Sequence, residues 1–168
     1  MNSLWDFAVG IYQHSSIKAA CLQLQDEAGA DVCVLLAIVW LGKNGRQLTL
    51  AEIALLISTV EVWQQKLTLP LRQLRRDIRQ FIESESSLDA EPIYQQIKAA
   101  ELESERVALQ QLQMFIDTQH WYSELAAKTD NAAVVVANIS VYLSQCQALR
   151  TTSKPQQWQE ISALFAHY

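Results

Sequence analysis

DVCVLLAIVWLG, residues 31–42, decides the fold. Asp31 suits an N-cap, and Gly42 suits a stop. Between them Val32 to Leu41 is apolar without a break. A helix that is apolar on every side must be surrounded by protein or by lipid. Ten residues cover about 15 Å as a helix, about half the hydrocarbon thickness of a bilayer. The run therefore predicts a buried rod, not a membrane span. The rest of the chain must supply the wrapping.

Working outward, the flanking segments read as amphipathic helices. Leu4, Phe7, Ala8 and Ile11 recur at i, i+3, i+4 and i+7, with Ser3 placed to cap. A second helix starts at Ser15 or Ser16, carries Ile17, Ala20, Cys21 and Leu24, and stops at Gly29. Beyond the rod, KNGRQ (43–47) is a turn, and TLAE (49–52) is a capping box opening a helix to about Leu67. Pro70 suits the first turn of the next helix, whose inner face is Leu71, Leu74, Ile78, Phe81 and Ile82. After the polar break ESESSLDAEP, Asp89 is placed to cap a long helix from about Glu91. That helix runs to about Leu125 or breaks near Thr118. Asp130 or Asn131 caps a helix containing Val134 to Leu149. After TTSKP, a terminal helix sets Trp158, Ile161, Leu164 and Phe165 on one side. AAVVVA (132–137) is the β-prone run, and its flanks read helical. The expectation is an all-α single domain, 1–168, of six to eight helices around the rod at 32–41.

Composition agrees. The chain has 168 residues, 50% of them hydrophobic and 18% charged, enough apolar material for a real core. With Gly 4 and Pro 3, it has too few turn formers for a many-stranded sandwich. The net charge of −5 argues against a dedicated nucleic-acid binder. Residues 1–83 hold 8 basic and 8 acidic side chains, and residues 84–168 hold 5 and 10. The acidic half either packs its long helix against the arginine-bearing one or stands apart as a docking arm. No secretory signal is visible at the start of the chain. Cys21, Cys33 and Cys146 show no CxxC or ligand spacing, so a reduced, cytoplasmic setting is expected.

The clearest polar feature is LRQLRRDIRQ (71–80). Arg72, Arg75, Arg76 and Arg79 stand at i, i+3, i+4 and i+7, within roughly a 100° arc beside the apolar face. Guanidinium groups so placed grip phosphate or carboxylate, pair with Glu101, Glu103 and Glu105 of the acidic helix, or simply face water. A second feature, QLQDEAGADV (23–32), clusters Asp26, Glu27 and Asp31 at a helix end. Such carboxylates hold Mg²⁺ against a diphosphate in some helical enzymes. Here the five-residue spacing and Gly29 favour a cap at Asp31 and solvated neighbours instead. Asp117 and His120 form a DxxH pair without the second pair that a di-iron bundle needs. Nucleophile-elbow, P-loop, zincin and dinucleotide patterns are absent. Of the tryptophans, Trp121 beside Tyr122 in a polar stretch is the candidate for an exposed anchor.

Taken together, WDFA (5–8), ACLQLQDEAGADV (20–32), LLAIVWLG (35–42), PLRQLRRDI (70–78) and KAAELESER (98–106) resemble a family of small bacterial proteins defined only as a domain of unknown function. The resemblance covers about the first two thirds of the chain and does not extend past about Met114. It implies a cytoplasmic helical protein and brings no activity, ligand or catalytic residue. Where the family often has asparagine after GADV, this chain has Cys33.

Two functional readings follow. The first is a non-enzymatic protein-interaction or regulatory module, with no cofactor and a protein as partner. The second is an enzyme or carrier binding a phosphorylated or otherwise anionic small molecule through Arg72, Arg75, Arg76 and Arg79 with Asp26 and Asp31. The second requires these arginines and aspartates to converge on one concave pocket.

Overall fold

The computed structural model describes residues 3–84, 89–119, 121, 131–147 and 155–168. They form a single helical domain with no strand among them. Its axis is α3 (Val32–Lys43), in which every residue from Val32 to Gly42 is buried. The Asp31 side chain caps it, accepting from the amides of Cys33 at 2.8 Å and Val34 at 3.1 Å. Around it lie α1 (Leu4–Tyr12), α4 (Leu50–Trp63), α6 (Glu91–Thr118), α7 (Asn131–Gln147) and α8 (Pro155–His167), with α2 (Ser15–Gln23) and α5 (Leu69–Ser84) further out. Gly42 does not stop α3, as its position suggested. It lets α7 approach, since a Cβ there would lie 2.9 Å from the Val135 Cα. The chain turns instead at Gly45, where φ is 79°.

The capping box at Thr49 and Glu52 forms as read. The expected break before Pro70 does not. The chain is helical without interruption from Leu50 to Ser84, with a π turn at Gln64–Thr68 between α4 and α5. There the Leu69 N–H reaches back to the Gln64 carbonyl, five residues away. Pro70 has no N–H and crowds the preceding turn, and the wider turn accommodates it. The π turn is pinned to α6. Thr68 Oγ1 lies 2.7 Å from Ser104 Oγ, and the Trp63 indole N–H donates to Ser104 at 3.1 Å. A second π turn, Leu24–Ala28, ends α2 and leads into Gly29, whose φ of 69° closes it.

In α6 the N-cap is Ala90, without a side-chain bond, in place of Asp89, and Pro92 lies in the first turn. The helix ends at Thr118, the shorter of the two expected limits. The β-prone AAVVVA is helical, because α7 packs its branched side chains along α3. Val135, Ile139 and Tyr142 are buried there. Asn138 on the same face is fully buried. It accepts from the Leu48 amide at 2.8 Å and donates to the Arg46 carbonyl at 2.9 Å, so it ties α7 to the turn after α3. The terminal helix buries Trp158, Ile161 and Phe165 as its spacing requires. Trp121 is not the exposed anchor the sequence suggested. It is 7% exposed, packs edge-on against Phe115 at 5.6 Å and lies under the Arg46 guanidinium. An aromatic ring can bury its body even within a polar stretch of sequence. His120, Tyr122 and Asp130 lie outside the described residues.

Candidate functional site

A cleft of about 850 Å³ opens beside the N-terminus of α3. Both π turns border it. Leu24–Ala28 contributes Gln25, Asp26 and Ala28, and Gln64–Thr68 contributes Gln64 and Gln65. Single π turns inside helices recur at functional sites because they re-aim side chains that an α-helix would hold elsewhere. The remaining walls come from α3 (Val34), α4 (Ala54, Ile57, Ser58, Glu61), α5 (Leu69, Arg72, Arg76) and α7 (Tyr142, Gln145, Cys146).

Of the sequence-derived residues, Asp26, Asp31, Arg72 and Arg76 meet at this cleft, and Arg75 and Arg79 do not line it. The Arg72 side chain is 12% exposed and lies between two carboxylates. Its Nε donates to Glu101 at 2.9 Å, and its Nη2 donates to Glu105 at 2.6 Å. Arg75 also pairs with Glu101. Arg76 meets Asp26 at 2.9 Å, with both side chains about half exposed. Arg79 pairs with Glu83 one turn along and lies over the Tyr94 ring. The acidic helix therefore packs against the arginine-bearing one. Glu101 and Glu105 are the partners there, while Glu103 binds Arg106 on its own helix.

The titration directions follow from this geometry. Burial works against charge on Arg72. The hydrogen bond to Glu101 and the charges of Glu105 and Glu101 outweigh that and hold the guanidinium above its usual value. Burial also opposes charge on Glu101, but the bonds from Arg75 and Arg72 hold its carboxyl below the usual range. Glu105 goes the other way. Burial pushes it up, and Arg72 offsets only part of the rise. Burial likewise raises Asp31, against the pull of its two amide bonds. Tyr142 lies against Asp31. Its oxygen accepts from the Asp31 amide at 2.7 Å, its hydroxyl donates to the Asp31 carbonyl at 3.2 Å, and burial pushes the phenol well up. Cys33, where the resemblance expects an amide, is buried with its Sγ 3.8 Å from the Glu105 carbonyl oxygen. Burial raises its thiol far from the thiolate range.

Sequence reasoning did not single out Gln64, Tyr142 or Gln145. Nothing local marks them, since each reaches the cleft only through the π turn or the packing of α7. Gln145 Nε2 donates to the Leu50 carbonyl at 2.9 Å, and its buried Oε1 has no hydrogen-bond partner among the described residues. A second, shallower groove of about 420 Å³ between α7 and α8 is walled by alanines with Val136 and His167. Among the described residues no three His, Cys, Asp or Glu side chains gather closely enough to hold a metal ion. No described helix is long and apolar enough to cross a membrane.

These features define an all-α domain with a polar-floored cleft beside a buried axial helix. Residues 3–112 match the family described as "Protein of unknown function (DUF2390)", and the chain belongs to that family. Neither the curated proteins nor the solved structures contain a match. The matched span includes α1 to α5 and most of α6, and so most of the cleft.

Proposed function

We propose that the protein is a non-catalytic, ligand-responsive regulatory or carrier domain whose site is the cleft between the two π turns. One observation carries this reading. Asp26, Asp31, Arg72 and Arg76, spread over two distant segments of sequence, line one concavity of about 850 Å³. That size suits a small organic molecule, and apolar walls with a few convergent polar groups are the usual make-up of such sites. Methyl NMR with a fragment library tests it. Hits are expected to shift the methyls of Ala28, Val34, Ala54, Ile57 and Leu69 together. Ser58→Trp, which fills the exposed wall of the cleft, is expected to abolish those shifts. Hits scattered over the surface, or unaffected by Ser58→Trp, overturn the reading.

A second reading, docking of a protein partner, is supported by α5 and the start of α6. None of the residues of α5 is fully buried, and Leu74, Phe81 and Ile93 are exposed. Its test is a pull-down in which Leu74→Ser/Phe81→Ser loses a stoichiometric partner while keeping the wild-type melting temperature. Retention of that partner by the double variant contradicts it. A cytoplasmic setting belongs to the same proposal, supported by three free cysteines.

A further inference from the structure

We infer that the cleft takes a cation that donates hydrogen bonds, an amine carried on an apolar body, rather than a phosphate or carboxylate. The inference rests on the cleft being a ligand site and names the chemistry of its occupant.

Arginine in a pocket ordinarily suggests an anion. Here the guanidinium groups already have anions. Arg72 bridges Glu101 and Glu105, and Arg76 holds Asp26. At Arg72 an incoming phosphate would have to displace Glu101, which is 7% exposed and has nowhere else to go; the half-exposed Arg76–Asp26 pair is the weaker barrier. A phosphate would also meet the carboxylates of Asp31 and Glu61, which line the same space. Like charges brought together there oppose binding.

Acceptors have capacity to spare as well, and the carboxylates near the cleft outnumber the two guanidinium groups that line it. A carboxylate offers about four lone-pair sites. Asp31 accepts from the amides of Cys33 and Val34 through Oδ1 and from the Gln64 side chain, and Glu61 accepts from Gln65 at 3.2 Å. The buried Gln145 Oε1 accepts nothing from the described residues. An ammonium, with donors and no acceptor, suits the carboxylate oxygens that line the cleft. Val34, Ile57 and Leu69 provide apolar wall for the rest of the molecule. Burial that raises Asp31 does not oppose this. A cation beside the carboxyl favours its ionised form and lowers it again.

The experiment is a series with one tail and three head groups, namely n-octylammonium, 1-octanol and octanoate. Binding is read at neutral pH by calorimetry and methyl NMR on wild type, Ser58→Trp and Asp31→Asn. Asparagine keeps the α3 cap, so the last variant changes charge and leaves the helix start intact. The expected order is octylammonium tightest, by about tenfold over octanol, with octanoate weakest. Asp31→Asn is expected to bring octylammonium down towards octanol and leave octanol unchanged. Octanoate binding as tightly as octylammonium, in wild type but not in Ser58→Trp, overturns the amine assignment and leaves the cleft as a ligand site. No shift of cleft methyls by any of the three overturns both.

Discussion

Replacing Arg72 with methionine isolates the ion pair that this cleft-lining side chain makes with α6. Methionine keeps an apolar stem of similar length, so packing is largely preserved and charge is lost. Arg72 is 12% exposed in its side chain, and its partners Glu101 and Glu105 are 9% and 27% exposed. Breaking a buried pair from one side costs about 3–5 kcal/mol, because the partner charge is left unpaired. Glu101 keeps Arg75, so the loss belongs at the lower end, about 3 kcal/mol. For a chain of this size that lowers the melting temperature by about 6–12 °C. The dependence on pH is the sharper signature. In wild type, burial already raises Glu105. Without Arg72 it rises further, and Glu101 rises with it. The deficit is then largest where both carboxyls ionise in the unfolded chain, and it fades as acid protonates them. Urea denaturation of both proteins from acid to neutral pH measures this. Adding Glu105→Gln to Arg72→Met is expected to recover part of the loss, giving a clear coupling energy in the double-mutant cycle. A loss below about 1 kcal/mol, typical of an exposed pair, or one that does not change with pH, refutes the reasoning.

Three further outcomes are expected. Gly42→Ala sets a methyl group against the Val135 backbone, and at 2.9 Å one helix must move. The expected loss is about 1–3 kcal/mol by thermal or urea melting, and a neutral result contradicts the close approach of α3 and α7. Asp31 titrates above its usual value in the folded state. Its contribution is therefore most favourable below the unfolded value, about 4, and is lost as pH rises through the folded one. Asp31→Asn is expected to gain stability relative to wild type over that rise, whereas Asp31→Ala loses the cap and about 1 kcal/mol; a flat difference for Asp31→Asn counts against the burial of this carboxyl. Trp121→Ala removes a ring that is 7% exposed and is expected to cost about 3–5 kcal/mol in urea denaturation. A cost near zero means that the ring is at the surface.

Much of the fold is visible in local chemistry. Ten unbroken apolar residues are too few to span a bilayer as a helix and so point to a core helix, and α3 is one. The Thr49–Glu52 box and the 3.6-residue spacing of Trp158, Ile161 and Phe165 also specify structure over a few residues, and they form as read. What the sequence hides depends on distant partners. Gly42 looks like a terminator until Val135 of α7 lies against it. Pro70 looks like a boundary, yet the π turn at Gln64–Thr68 carries the helix past it because Trp63 and Thr68 hold Ser104 of α6. Trp121 reads as exposed from polar neighbours in sequence, and its neighbours in space are Phe115 and Arg46.

The site shows the same division. The arginine stripe and the aspartates are legible as a helical period and as a capping signal, and Arg72, Arg76, Asp26 and Asp31 do reach one cleft. Their partners are legible only in part: the sequence offers Glu101 and Glu105, which Arg72 and Arg75 meet, but does not point to Asp26 for Arg76 or Glu83 for Arg79. A stripe of four guanidinium groups reads as a cationic ridge, but Glu101, Glu105, Asp26 and Glu83 cancel it residue by residue. Gln64 and Gln145, which also line the cleft, carry no charge and no periodic mark.

Native-state hydrogen exchange addresses the arrangement most directly, since α3 as a wholly enclosed axis is what brings these segments together. The amides of Leu35 to Leu41 are expected to exchange only through global unfolding, while those of α5, which has no fully buried residue, open locally at lower free energy. Exchange in α3 as fast as in α5, and insensitive to global stability, contradicts it.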